Sequence, residues 1–290
     1  MSSGWQRSLR AGGRSQGRPI GGPWGTAFLR WAAGWPPFTE PCLKLAPPLK
    51  KKATWGRLSR MSEISVVVPA RNEERTLPMC LAALRRQSLS DFELIVVDSA
   101  STDSTGEVAR AHGAKVVRVD EPGLAPARQA GFEVASGKII ATTDADSLPP
   151  PDWLARLKAA FADPIVAGVY GGLHLSGKGL WIRAAEGFFV NWQKLNHSLG
   201  RPLFCGPNFA VRKWAFEEVG GFKRGEAFYD DDETDIRLAF KLRRIGKVVF
   251  LPDLLVTTSM RKFSGPHGLH YLLRHTWNYF RLCWLRYGNV

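Results

Sequence analysis

From residue 64 the chain repeats one pattern: a short β-branched apolar run, a polar or glycine-bearing loop, then a stretch with helical spacing of leucines and alanines. Ile64–Val68, Glu93–Val97, Lys115–Val119 and Lys138–Thr142 read as strands. Strands that alternate with helices in this way build βαβ units around a mainly parallel sheet with helices on both faces. Thr76 can cap a first helix that aligns Leu77, Leu81 and Leu84, with Pro78 tolerated in its first turn. Thr102 or Asp103 caps a second that Gly113 ends, and Pro126 opens a third that Gly137 closes. Beyond residue 150 the pattern predicts helices at 151–162, 180–199 and 233–245, strands at 166–175 and 248–251, FAVR followed by a helix to Val219, and a C-terminal helix from Leu269.

The formal charge of +14 invites a nucleic-acid or membrane reading, so its location matters. Residues 1–60 hold eleven Lys or Arg against the single acid Glu40, leaving only +4 for residues 61–290. The mildly basic remainder argues against a nucleic-acid partner. The same 60 residues contain nine Gly and seven Pro and show no sustained period, a composition expected of disorder. Met61 precedes an abrupt strand pattern. The expectation is therefore a disordered or non-native extension at 1–60, one catalytic domain at 61–262 and an amphipathic helix at 263–290. A basic arm is the alternative for the first segment, and the N-terminal mass of the protein from its own source decides between them. Cys42, Cys80, Cys205 and Cys283 form no C-x-x-C pair and fit a reducing cytoplasm. No run reaches the roughly 20 apolar residues of a spanning helix.

In open α/β sheets, ligands bind beyond the carboxyl ends of the strands. After the first strand stands Pro69-Ala70-Arg71-Asn72-Glu73-Glu74, with none of the glycines that let a pyrophosphate approach a dinucleotide fold. Two carboxylates there would repel phosphate, so a diphosphate must be neutralised elsewhere. The second strand ends in Asp98, which can accept hydrogen bonds from a base or ribose, or simply open a polar loop. Asp144-Ala145-Asp146 follows the fourth strand. Two carboxylates at i and i+2 can converge on Mg²⁺ or Mn²⁺ and leave positions for phosphate oxygens; a solvated turn is the plain alternative. The cluster Asp230–Glu233 with Asp235 precedes a helix and exceeds what capping requires, so one carboxylate there can serve as a general base.

The segments VVVPARNEE, VVDSASTDST, GLAPARQAG, ATTDADS, CGPNFAVRKWAFEEVGGF and DDETDI occur in the order found in family 2 glycosyltransferases, which the chain resembles over about residues 63–262. The resemblance implies a GT-A fold and inverting transfer of a hexose from a UDP- or GDP-sugar. It implies that Pro69, Ala70, Arg71, Asn72, Glu73 and Asp98 hold the nucleoside, that Asp144, Ala145 and Asp146 meet the metal and diphosphate, and that Arg128 lies near the donor. The base motif reads Asp232-Glu233 where the family has Glu-Asp, so Asp232, Glu233 and Asp235 all stand as candidates. The family's D-G-S reads Asp98-Ser99-Ala100 here. Gly206, Asn208 and Arg212 would border an acceptor pocket, and Trp192, on a helix with Phe188 and Phe189, could cover it; a turn, a surface arginine and core aromatics are the alternatives. The acceptor would be a saccharide or a polyprenyl-phosphate-type lipid. The tail Leu269–Tyr287 mixes aromatics with Arg274, Arg281 and Arg286 and suits either a membrane interface, at the inner face of a cytoplasmic membrane, or packing on the core. His267, His270 and His275 have no convincing metal spacing. A nucleotidyltransferase of related architecture, or a non-catalytic membrane-peripheral or carbohydrate-binding module, are the competing readings.

Overall fold

A computed structural model describes residues 62–176, 180–224, 227–228 and 233–259, together with Trp277, Phe280, Arg281 and Trp284. The expected extension at 1–60 and most of the expected tail helix, with its three histidines, lie outside the described residues, as does Asp232.

The elements run β1 (Ile64–Ala70), α1 (Leu77–Arg85), β2 (Glu93–Ser99), α2 (Thr105–Ala111), β3 (Lys115–Val119), α3 (Leu124–Val134), β4 (Ile139–Thr142), β5 (Ser147–Leu148), α4 (Trp153–Ala160) and β6 (Val166–Leu175). There follow α5 (Leu180–Ser198), β7 (Phe209–Arg212), α6 (Lys213–Glu218), β8 (Lys223–Arg224), β9 (Ala227–Phe228), α7 (Thr234–Arg243) and β10 (Lys247–Thr258). One eight-stranded sheet has the order β3-β2-β1-β4-β7-β6-β10-β5. Its first four strands are parallel, as the alternation predicts; β7 runs antiparallel to β4 and β6, and β5 antiparallel to β10.

Strand periodicity divides the core in two, because successive side chains point to opposite faces. Val66, Val68, Leu94 and Val96 pack with Leu77, Leu81 and Leu84 of α1 and Trp153, Leu154 and Leu157 of α4. Val67, Ile95 and Val97 face the other way, onto Phe132 of α3, Phe216 of α6 and Leu238 of α7. The sheet is therefore covered on both sides, and only its strand ends are open to carry polar chemistry.

Some boundaries differ from expectation for local reasons. Helix α2 begins after Ser104, while the Asp103 carboxylate accepts from the Thr105 N–H at 3.0 Å. Helix α3 ends at Val134, not at Gly137, which instead lets the chain pass β1: a Cβ there would stand 2.6 Å from the Ser65 nitrogen. Strand β10 does not stop at Leu251. It resumes after a register shift between Leu251 and Leu255 that absorbs Pro252 and Asp253.

Candidate active site

Register brings the expected donor residues to one edge of the sheet. Ala70 is level with Asp98, and Val67 with Thr142, two residues before Asp144. Asp98 and Asp144 thus flank Pro69 and Ala70, two strand spacings or about 10 Å apart. The turn after β1 is fixed by Asn72 at φ 54. Its backbone N–H groups are already spent: Asn72 donates to Ser101 Oγ at 3.0 Å, Glu73 to Thr105 Oγ1 at 2.8 Å and Glu74 to Asp103 at 3.2 Å. Asn72 Oδ1 in turn accepts from the Thr102 N–H at 2.8 Å. No amide of these three residues is left to cradle a phosphate, in keeping with the missing glycines. Arg71 is exposed at the rim.

Asp98 is 4% exposed and accepts from the Ser101 N–H at 3.0 Å and from Arg118 Nη1 at 2.9 Å. Arg118, on β3, was not singled out by the sequence; its position level with Asp98 in the adjacent strand is the signal. Ser99 stands where the family's D-G-S has glycine, and the next residue, Ala100, takes up the left-handed conformation at φ 50.

Ala145 is buried in the core beneath α1, and Asp144 and Asp146 on either side of it are partly exposed. Burial pushes the Cys80 thiol of α1 well above its ordinary range, and the charges of Asp144 and then Asp146 push it further, which places both carboxylates near the same helix. The loop is pinned on its far side. Ser147 and Leu148 form β5 against Thr258 and Thr257, with Ser147 Oγ donating to Thr258 Oγ1 at 3.0 Å. Two hard-oxygen ligands with room for water and phosphate suit Mg²⁺ or Mn²⁺, which bind through one or two carboxylates rather than an all-protein cage. No cluster of three or more metal-ligating side chains occurs among the described residues.

Arg128 joins this loop to the acidic cluster. Gly131 lets α3 lie close on β1 and β2, where a Cβ would stand 2.4 Å from Val67 Cγ1. The fully buried Arg128 side chain thereby reaches Asp144 Oδ1 with Nη2 at 3.1 Å and Asp235 Oδ1 with Nη1. Its carbon Cζ stands 5.6 Å from the Phe209 ring centroid, and its Nε has no partner. Burial alone would lower the guanidinium's pKa; the charges of Asp235 and Asp144 more than offset it, and the net direction is upward. The Arg128 side chain has no exposed surface, and its two Nη atoms are engaged by Asp144 and Asp235. Gly206 belongs here too: a Cβ would come 2.7 Å from Arg128 Nη2 and 3.0 Å from Asp235 Oδ2.

The remaining expected residues divide. Glu233, 3% exposed, is gripped by Arg237 one turn along α7 and by Arg281 from the C-terminal segment. Trp192 is half-buried against Leu203, Ile236 and Phe240 and stacks on Trp284 with ring centroids 6.4 Å apart. Asn208, expected beside an acceptor, is instead wholly buried. Its Oδ1 accepts from Trp153 Nε1 at 2.9 Å, and its Nδ2 donates to the Gly172 and Leu254 carbonyls at 2.7 Å each, so its polar atoms are consumed in holding β7 to its neighbours. Arg212, also expected there, pairs with Ile139 at the start of β4, because β7 is antiparallel; it binds the carbonyls of Phe161, Asp163 and Val166 at the opposite edge of the sheet.

Residues 65–220 match glycosyl transferase family 2, more than half of the chain. The chain belongs to that family. As a family 2 glycosyltransferase it is 29% identical over 225 residues to glycosyltransferase GlyG of Streptococcus pneumoniae, covering 70% of this chain and 73% of that protein. Glycosyltransferase AglE of Haloferax volcanii is 30% identical over 174 residues, 57% of each chain, so the shared region spans little more than half of that relative. The fold is that of GT-A glycosyltransferases: the mannosyltransferase PcManGT of Pyrobaculum calidifontis, solved with GDP-Man and Mn²⁺, superposes with a TM-score of 0.62 at 22% identity over 89% of this chain and 72% of its own. The TarS structure from S. aureus with UDP-GlcNAc gives 0.54 at 19% identity over 71% and 60%. This family 2 enzyme is a sugar transferase.

Proposed function

We propose that the enzyme transfers a hexose from a UDP- or GDP-linked donor to a saccharide or lipid-linked hydroxyl, with inversion, using Mg²⁺ or Mn²⁺ held by Asp144 and Asp146. The observation that supports this reading is the register of β2 and β4 on β1, which ends both strands at the same edge of the sheet with Asp98 at one and the Asp144–Asp146 loop following the other, together with the ion pair from Arg128 to Asp144. Binding of GDP-Man with Mn²⁺ by PcManGT and of UDP-GlcNAc by TarS supports the donor class.

Asp98 accepts hydrogen bonds from the nucleoside, and the Pro69–Glu73 turn forms the floor beside it. A bound divalent ion offsets the negative charge that grows on the departing diphosphate. Asp232, Glu233 or Asp235 takes the proton of the incoming hydroxyl as it attacks the anomeric carbon from the face opposite the leaving group, and a single displacement inverts that centre. The acidic cluster is tied to the donor side because Arg128 links Asp235 to Asp144. An acceptor phosphate would arrive already ionised and need no base.

A panel of nucleotide sugars with Mg²⁺ or Mn²⁺, scored for release of nucleoside diphosphate, tests this. Asp144→Asn and Asp146→Asn should each lower turnover by about a hundredfold or more, the scale of losing a preorganised charge at a leaving group. Full activity in both variants, activity in chelator, or release of pyrophosphate instead would overturn the proposal.

A further inference from the structure

Asp98 does not face a nucleoside alone. Both of its carboxylate oxygens are already engaged, Oδ1 by the Ser101 N–H at 3.0 Å and Oδ2 by Arg118 Nη1 at 2.9 Å. Its side chain is 5% exposed, whereas that of Arg118 is 52% exposed. Register sets the two residues level with each other near the ends of β2 and β3, at the edge of the sheet where Ala70 ends β1.

The Arg118 guanidinium is held in place without being used up. Nη2 donates to the Ser101 carbonyl at 3.4 Å, and Nε lies 3.4 Å from Asp120 Oδ1. Ser101 is itself anchored to the turn after β1, because its hydroxyl accepts from the Asn72 N–H at 3.0 Å. A guanidinium has five N–H donors, two on each Nη and one on Nε. These contacts engage one on each nitrogen, so each Nη keeps a second N–H. A carboxylate has about four lone-pair sites, so Asp98 also keeps capacity to accept.

Such a pair offers a donor beside an acceptor. Its complement is a carbonyl next to an N–H, the lactam edge that uracil and guanine carry. Cytosine and adenine present an unprotonated ring nitrogen in place of that N–H, which would set a lone pair against the carboxylate.

We propose that Arg118 and Asp98 together select the nucleobase of the donor, Arg118 donating to the base carbonyl and Asp98 accepting from the adjacent N–H. The enzyme thereby takes uridine or guanosine diphosphates in preference to cytidine or adenosine diphosphates. The inference rests on the assignment of Asp98 to the nucleoside and adds Arg118 as the residue that decides the base.

Isothermal titration of the full chain with UDP, GDP, CDP and ADP in the presence of Mn²⁺ tests it. The parent should bind UDP or GDP at least about tenfold more tightly than either CDP or ADP. Arg118→Met should weaken binding of that preferred diphosphate by about tenfold or more, and of CDP and ADP by only about two- to threefold, the share of the lost charge. Arg118→Lys keeps a charged donor without the planar fork and should recover part of the preference. Equal binding of all four by the parent would overturn the inference while leaving the donor class in place. So would an equal loss for all four in an Arg118→Met variant that melts with the parent. A parent that binds none of the four would remove the nucleotide-sugar reading and this inference with it.

Discussion

Arg128 Nη2 stands 3.1 Å from Asp144 Oδ1, and the same guanidinium holds Asp235, 107 residues further along the chain. One buried cation thus serves two carboxylates from opposite halves of the domain. Removing one partner of a buried ion pair costs about 3–5 kcal/mol. Arg128→Met should therefore destabilise the fold on that scale and abolish transfer. Arg128→Lys restores the charge without the planar fork and should recover part of the stability but little of the turnover. Urea midpoints and kcat on one set of variants check both; a stable, active Arg128→Met would remove the role.

Ala100 sits in the left-handed region, which costs a residue with a Cβ about 1–2 kcal/mol, whereas glycine in its place gives back roughly 0.5–1 kcal/mol through unfolded-state entropy. Ala100→Gly should stabilise the protein by about 0.5–1 kcal/mol. Thermal unfolding with a lower midpoint in the variant would show that the loop after β2 does not need this conformation.

Asn208 ties three elements together through its side-chain amide. Asn208→Ala should cost about 2–4 kcal/mol, since the Trp153 indole and two carbonyls lose their partner. The fraction that remains folded should keep its KM for the acceptor. A raised KM with unchanged stability would return Asn208 to the acceptor pocket.

Burial against Tyr170 and Phe250 holds the His197 imidazole below its ordinary pKa. The folded state then binds its proton less readily than the unfolded chain. Its stabilising contribution is present above about pH 6.5 and is lost as pH falls below that value. Urea midpoints between neutral pH and about pH 5 should fall less steeply in His197→Phe than in the parent; parallel curves would assign the acid sensitivity to other groups.

Much of this was written locally and some was not. Strands β1 to β4 and β6 follow from β-branched runs closed by polar loops, and the position of Asp98 and Asp144 at strand ends follows from them. The end of β10 was illegible because Pro252 and Asp253 read as a terminus, while pairing with β6 and β5 carries the strand past them. The placement of Asn208 and Arg212 depended on β7 being antiparallel, which four residues of FAVR do not announce. The Glu233–Arg237 pair is visible as an i, i+4 spacing on one helix; the approach of Arg281 is not. Nothing near Arg128 in sequence foretells that its second partner is Asp235.

Strand β5 fastens the segment after Asp146 to Thr258, and Arg128 fastens Asp144 to Asp235. Both tethers come from beyond residue 220, where the match to the family ends. An excised 65–220 fragment would carry Asp98, Asp144 and Asp146 yet lack Thr258 and Asp235, the partners that fasten the segment around the latter pair, so we expect it to lose the donor turnover that the longer stretch through β10 retains.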